Sequence, residues 1–141
     1  MEAIYTAVVT SKGGRNGHLE SSDGVLSLDV RSPKEFGGEG GPYTNPEQLF
    51  AAGWAACFNS ALQAMAKRKR VNADDAIIKV TVHIGRDTDG ASYKLAGRID
   101  LTLTGVSQET ADELMREAHG FCPYSKAVRG NMDVELYASV K

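Results

Sequence analysis

Asn45-Pro46-Glu47-Gln48-Leu49-Phe50-Ala51-Ala52-Gly53-Trp54-Ala55-Ala56-Cys57-Phe58 continues through Asn59-Ser60-Ala61-Leu62-Gln63-Ala64-Met65-Ala66 into Lys67-Arg68-Lys69-Arg70. Asparagine is a good N-cap, proline suits the first helical position, and Glu47 falls in the first turn, where the helix dipole favours a carboxylate. From Leu49 to Ala66 nearly every residue is apolar or small, so burial of most of the circumference is expected, rather than of a single stripe. Such a helix belongs at the centre of a fold. The four basic residues that end it read as a solvated terminus complementing the dipole rather than as a nucleic-acid patch.

On the N-terminal side, Leu26, Leu28 and Val30 alternate after the turn signal Ser22-Asp23-Gly24. They read as the second arm of a hairpin that begins near Ile4 to Thr10. The run Gly37-Gly38-Glu39-Gly40-Gly41-Pro42 can hold neither helix nor central strand, and it lacks the Gly-Lys-Ser/Thr ending of a phosphate loop. On the C-terminal side, Ile78, Val80, Val82 and Ile84 alternate with polar residues, and after Asp89-Gly90 so do Leu95, Gly97, Ile99, Leu101 and Leu103, giving a second hairpin. Ser107 can cap a helix with apolar positions Ala111, Leu114, Met115 and Ala118 that Gly120 would stop. Cys122-Pro123 begins a short helix ending at Gly130, and Val134, Leu136, Ala138 and Val140 form a last strand. The order ββ, α, ββ, αα, β, with strands in antiparallel pairs, is an α+β class, expected as a single domain over residues 1–141.

With 141 residues, 42% of them hydrophobic, the chain can bury a core without structural disulfides or metals. A net charge of −2 gives no electrostatic footprint for nucleic acid. No apolar run approaches the roughly 20 residues that cross a bilayer. Nothing at the N-terminus resembles an export signal, so the expected location is the cytoplasm. In that reducing compartment two cysteines 65 positions apart argue against a permanent staple, and leave inert core thiols or reactive ones.

Cys57, in the middle of the helix, reads equally as a small buried hydrophobe. Cys122 occupies an N-cap position, where unpaired backbone N–H groups stabilise a thiolate. One deep and one capped cysteine suit a pair in which the first meets a peroxide and the second intercepts the sulfenic acid. Zinc fits poorly: there is no Cys-x-x-Cys, and His18, His83 and His119 have no ligand spacing. Each histidine reads as structural, which leaves a Cys-His hydrolase without a base. Arg15, within Gly13-Gly14-Arg15-Asn16-Gly17, and Glu47 are the polar groups in the least ordinary settings, though each also reads as a solvated loop charge or a dipole partner.

Three stretches taken together, Gly14-Arg15-Asn16-Gly17, Asn45 through Phe58 and Cys122-Pro123-Tyr124-Ser125-Lys126-Ala127-Val128-Arg129-Gly130-Asn131, resemble the organic hydroperoxide resistance branch of the Ohr and OsmC superfamily over essentially the whole chain. Trp54 stands where tyrosine is expected, and Asn16 where aspartate is frequent. The resemblance implies antiparallel sheets wrapping a central buried helix in an intertwined homodimer. It also implies that Cys57 is the peroxidatic thiol and Cys122 the resolving thiol, with an Arg15–Glu47 ion pair beside Cys57. The cycle it implies has no bound cofactor or metal: an organic hydroperoxide is reduced to an alcohol, and the disulfide is reopened by a dihydrolipoyl dithiol on a lipoylated partner protein. Phe36, Phe50, Phe58 and Phe121 are candidates for an apolar substrate pocket. A general peroxidase of the OsmC type, a non-catalytic binder of small hydrophobes and a thiol sensor are the alternative readings.

Glu47 and Cys57 are ten residues apart, which on an unbroken helix is about 15 Å and about 280° of rotation. One helix cannot set its own carboxylate beside its own thiol. The expected solution is a site shared across a two-fold axis, with Arg15 and Glu47 from one subunit and Cys57 and Cys122 from the other.

Overall fold

Helix α1, Pro46–Lys69, forms without interruption. The Asn45 side chain accepts the Gln48 N–H at 2.9 Å, which confirms the cap. At the other end Arg70 adopts φ 57°, and the Val71 N–H reaches back to the Ala66 carbonyl at 2.9 Å, closing the last turn. The computed structural model describes every residue from Met1 to Lys141, and the chain divides into two compact units, Met1–Leu49 and Phe50–Lys141.

In the first unit, strands β1 (Val9–Lys12), β2 (His18–Ser21) and β3 (Ser27–Asp29) form an antiparallel sheet in that order. The expected two-armed hairpin is therefore corrected to three short strands. The Ser22-Asp23-Gly24 turn joins β3 to β2, and β1 starts later than Ile4. With Leu19 as its single large apolar residue, β2 offers no alternation to read, and its pairing comes from neighbours on both sides. A 3-10 turn, Gly14–Asn16, links β1 to β2. Gly13 has φ 86°, and a Cβ on Gly17 would collide with the Lys12 carbonyl oxygen, so this tight loop requires glycine at both ends. Beyond β3, the Val30 N–H donates to the Gly17 carbonyl at 2.9 Å and the Arg31 N–H to the Thr44 carbonyl at 3.0 Å. These two rungs bring the Arg15 turn and the start of α1 together.

In the second unit, β4 (Ile77–Arg86) and β5 (Tyr93–Leu103) pair antiparallel, as their alternation predicts. Strand β6 (Asp133–Val140) also alternates as expected, but it runs parallel to β5, from Ala96 opposite Asp133 to Leu103 opposite Val140. The expectation of antiparallel pairs throughout is corrected here. Helices α2 (Gln108–Phe121) and α3 (Pro123–Val128) form a crossover that returns the chain to the same end of the sheet, and a strand entered that way must run parallel. The Ser107 hydroxyl caps α2 by accepting the Thr110 N–H, whereas Gly120 lies inside the helix rather than ending it.

Trp54, Phe58, Ala61, Leu62, Met65 and Ala66 form one buried face of α1, at helical spacing, against Ile99, Leu101 and Leu103 of β5 and Ala111, Leu114, Met115 and Ala118 of α2. Burying one leucine or phenylalanine in full stabilises by about 2 kcal/mol. Ala52, Ala56 and Ser60 remain exposed, so within a single chain the expected burial is met on one side of α1 only. Lys69 does more than complement the dipole: it pairs with Glu113 at 2.7 Å and Glu117 at 3.0 Å, both on α2.

Candidate active site

Arg15 sits in the glycine-bounded turn and Glu47 in the first turn of α1, so the two rungs between these segments fix the approach of their side chains. The guanidinium grips the carboxylate with two parallel hydrogen bonds, Nη1 to Oε2 at 2.9 Å and Nη2 to Oε1 at 2.6 Å. Arg15 holds the Glu47 carboxyl below its ordinary range by this hydrogen bonding, and the same pair raises the arginine. Phe36 lies under the guanidinium, with the charge 5.0 Å from the ring centre. The ion pair expected between Arg15 and Glu47 is present, with an aromatic ring bracing it.

The second pair lies in the other unit. Cys57 projects from α1, and Cys122 occupies the single residue between α2 and α3. The Cys122 N–H ends α2 by donating to the Ala118 carbonyl at 2.8 Å, and its carbonyl begins α3 by accepting the Lys126 N–H at 2.9 Å. Its thiol makes no capping bond, and it is fully buried against a half-buried Cys57. The two cysteines approach to 3.7 Å and both are free thiols. Their Cα atoms need only lie within about 7 Å for a bridge to close without rebuilding the backbone.

Burial pushes the Cys57 thiol above its ordinary value. The Tyr124 backbone N–H, donating to the sulfur, opposes that push, and Cys122 adds to it. None of these influences is a cation. Within its own unit Cys57 therefore has no cation to favour its thiolate.

The four phenylalanines do not share one environment. Phe50 lines a cleft of about 520 Å³ with Leu95, Val128 and Met132. Phe58 is fully buried in the core, on the α1 face that packs with β5 and α2. Phe121 is half exposed at the end of α2, under the Arg68 guanidinium at 5.3 Å. His18 is held by Asp29 at 2.8 Å and Ser27 at 3.1 Å, and His83 is exposed on β4. Burial lowers the His119 imidazole, and Arg129 lowers it further.

The sequence reading missed the pairing of two side chains, one three residues before Cys57 and the other three residues after Cys122. Trp54 and Ser125, both fully buried, are joined by a hydrogen bond from the indole Nε1 to the hydroxyl at 3.0 Å. The available signal was chemical: a tryptophan deep in an apolar helix needs an acceptor for its N–H.

A family model described as OsmC-like protein matches residues 37–137. The organic hydroperoxide resistance protein OhrB of Bacillus subtilis is 46% identical over 134 residues, covering 95% of this chain and 97% of that protein. Among solved structures, an organic hydroperoxide resistance protein from Elizabethkingia anophelis superposes with a TM-score of 0.94 at 42% identity, covering 100% of both chains. One from Legionella pneumophila gives 0.93 at 45% identity, covering 99% of this chain and 100% of that one.

Proposed function

Since this chain belongs to the OsmC-like family, among the organic hydroperoxide resistance proteins, we propose that it is a thiol peroxidase that reduces organic hydroperoxides to alcohols. The observation that carries the reading is the approach of two free cysteines to 3.7 Å, one half-buried and one fully buried. The Cys57 thiolate attacks the distal peroxide oxygen; an S–O bond forms, the O–O bond breaks, and the alkoxide takes a proton to leave as the alcohol. Cys57 is then a sulfenic acid. Cys122 attacks its sulfur, the S–O bond breaks, and hydroxide leaves as water, so the two-electron oxidation rests in a Cys57–Cys122 disulfide. A dithiol of the dihydrolipoyl kind on a partner protein returns both thiols by exchange.

Thiolate activation falls to Arg15 of a second copy of the chain, with Glu47 holding the fork of its guanidinium. Three observations support this assembly: the raised Cys57, the uncovered Ala52, Ala56 and Ser60 face of α1, and the exposed apolar residues Ile4, Tyr5 and Val25 of the first unit. A cytoplasmic setting suits a disulfide that must be reopened in every cycle.

The test is steady-state turnover with a dithiol reductant, comparing cumene hydroperoxide with hydrogen peroxide. A burial gain of about 0.8 kcal/mol per methylene favours the bulky substrate in kcat/KM. Equal rate constants would point to a general peroxidase, and no turnover with either would remove the enzyme reading.

A further inference from the structure

Helix α3 has six residues, too few to persist unless something holds it. Ser125 is its one buried residue. The segment Cys122–Ser125 meets α1 through four contacts. The Tyr124 ring lies over Gly53, where an added Cβ would come within 3.0 Å of the phenolic oxygen. Trp54 Nε1 donates to Ser125 Oγ at 3.0 Å. The Tyr124 N–H donates to the Cys57 sulfur, and Cys122 reaches the same sulfur. Trp54 lies three residues before Cys57 and Ser125 three residues after Cys122, so the indole–hydroxyl bond joins the two backbones one helical turn from the two thiols.

Trp54 has no freedom to choose another arrangement. Its indole is fully buried, packed edge-on by Phe50 at 5.8 Å, and seated against Gly97 of β5, where an added Cβ would lie 3.0 Å from the ring. A buried N–H must be paired, and Ser125 supplies the acceptor.

We infer that the Trp54–Ser125 hydrogen bond is the clamp that holds Cys122 and the Tyr124 N–H against Cys57, making Trp54 and Ser125 positioning residues for disulfide closure. Cys122 is fully buried and cannot search for its partner, so the rate at which the S–S bond forms depends on this fixed approach. The biological use of the clamp rests on the peroxidase reading above; its physical operation does not.

The experiment reads closure separately from peroxide chemistry. Reduced full-length protein is treated with diamide, a diazene that accepts two electrons and two protons from the thiols, and the Cys57–Cys122 disulfide is followed by mass spectrometry. Ser125→Ala and Trp54→Phe each close about tenfold more slowly than wild type, the size carried by one lost buried hydrogen bond. The pH profile of Cys57 alkylation moves to higher pH in both, because the Tyr124 N–H is no longer held at the sulfur. The double variant regains thermal stability, since neither polar partner is left unpaired, yet closes no faster than the single variants. Leu103→Val, a core change six residues along β5 from the indole's seat at Gly97, lowers stability without moving the alkylation profile.

Closure and alkylation profiles within twofold of wild type in both single variants would overturn the clamp, as would an equal effect from Leu103→Val. Clamp-dependent closure in a protein that turns over no hydroperoxide would leave the clamp standing and remove the peroxidase reading; normal turnover with unaffected variants would do the reverse.

Discussion

Gly97→Ala tests the fit on which the indole depends. Gly97 is buried in the middle of β5, opposite Val82 of β4 and Val134 of β6. A Cβ there would lie 2.8 Å from Met132 Cε, 3.0 Å from Trp54 Cζ3 and 3.3 Å from Trp54 Cη2. The methionine end can swing away. The indole cannot, being pinned by Phe50 and by its bond to Ser125. Overpacking of this kind costs about 1–3 kcal/mol. The stiffer unfolded chain of an alanine variant offsets about 0.5–1 kcal/mol of it. A net loss of about 0.5–2 kcal/mol remains, which for a chain of this size is a fall in Tm of about 2–6 °C. Thermal melts by circular dichroism at one fixed protein concentration measure it. Adding Trp54→Phe shrinks the ring at the point of collision, so the double variant should lose less than the sum of the two singles. An unchanged or higher Tm for Gly97→Ala would refute the reasoning, because it would mean that the indole sits loosely in its seat.

Cys57→Ser abolishes peroxide consumption, whereas Cys122→Ser consumes about one equivalent and stalls at sulfenic acid, detectable by dimedone labelling and mass spectrometry. Mixed dimers of Arg15→Ala and Cys57→Ser chains recover activity in one of their two sites if the site is shared, and recover none if each chain is self-sufficient. Glu47→Gln removes a partly buried charge pair whose depressed carboxyl contributes stability above its unfolded value, near 4.5, and loses it as pH falls through the lower folded value. Urea midpoints should therefore separate wild type from Glu47→Gln by about 1 kcal/mol at neutral pH, and the gap should close as the pH is taken well below 4.5.

The sequence determined by itself what depends on neighbours along the chain. Helix α1 with its Asn45 cap, the alternating strands β4, β5 and β6, and the Ser107 cap of α2 are local patterns of spacing and turn chemistry, and all of them form. Arg15, Glu47, Cys57 and Cys122 stood out because they lie in long motifs; the Arg15–Glu47 ion pair implied by the resemblance is present, and the two cysteines meet across 65 residues of chain. Tertiary structure alone decided the rest. Strand β2 is too short and polar to announce itself, and β6 runs parallel because a two-helix crossover, not a turn, delivers it. Phe50 and Phe58 look alike in the sequence, yet Phe58 is fully buried and Phe50 lines a cleft, because burial is settled by what packs opposite a residue, here β5 and α2. Whether Cys57 ionises readily is likewise a property of its surroundings, and those within its unit raise it. The tryptophan in place of an expected tyrosine looked incidental in the sequence. Its partner lies 71 residues away, and only folding could bring an indole N–H to that serine hydroxyl.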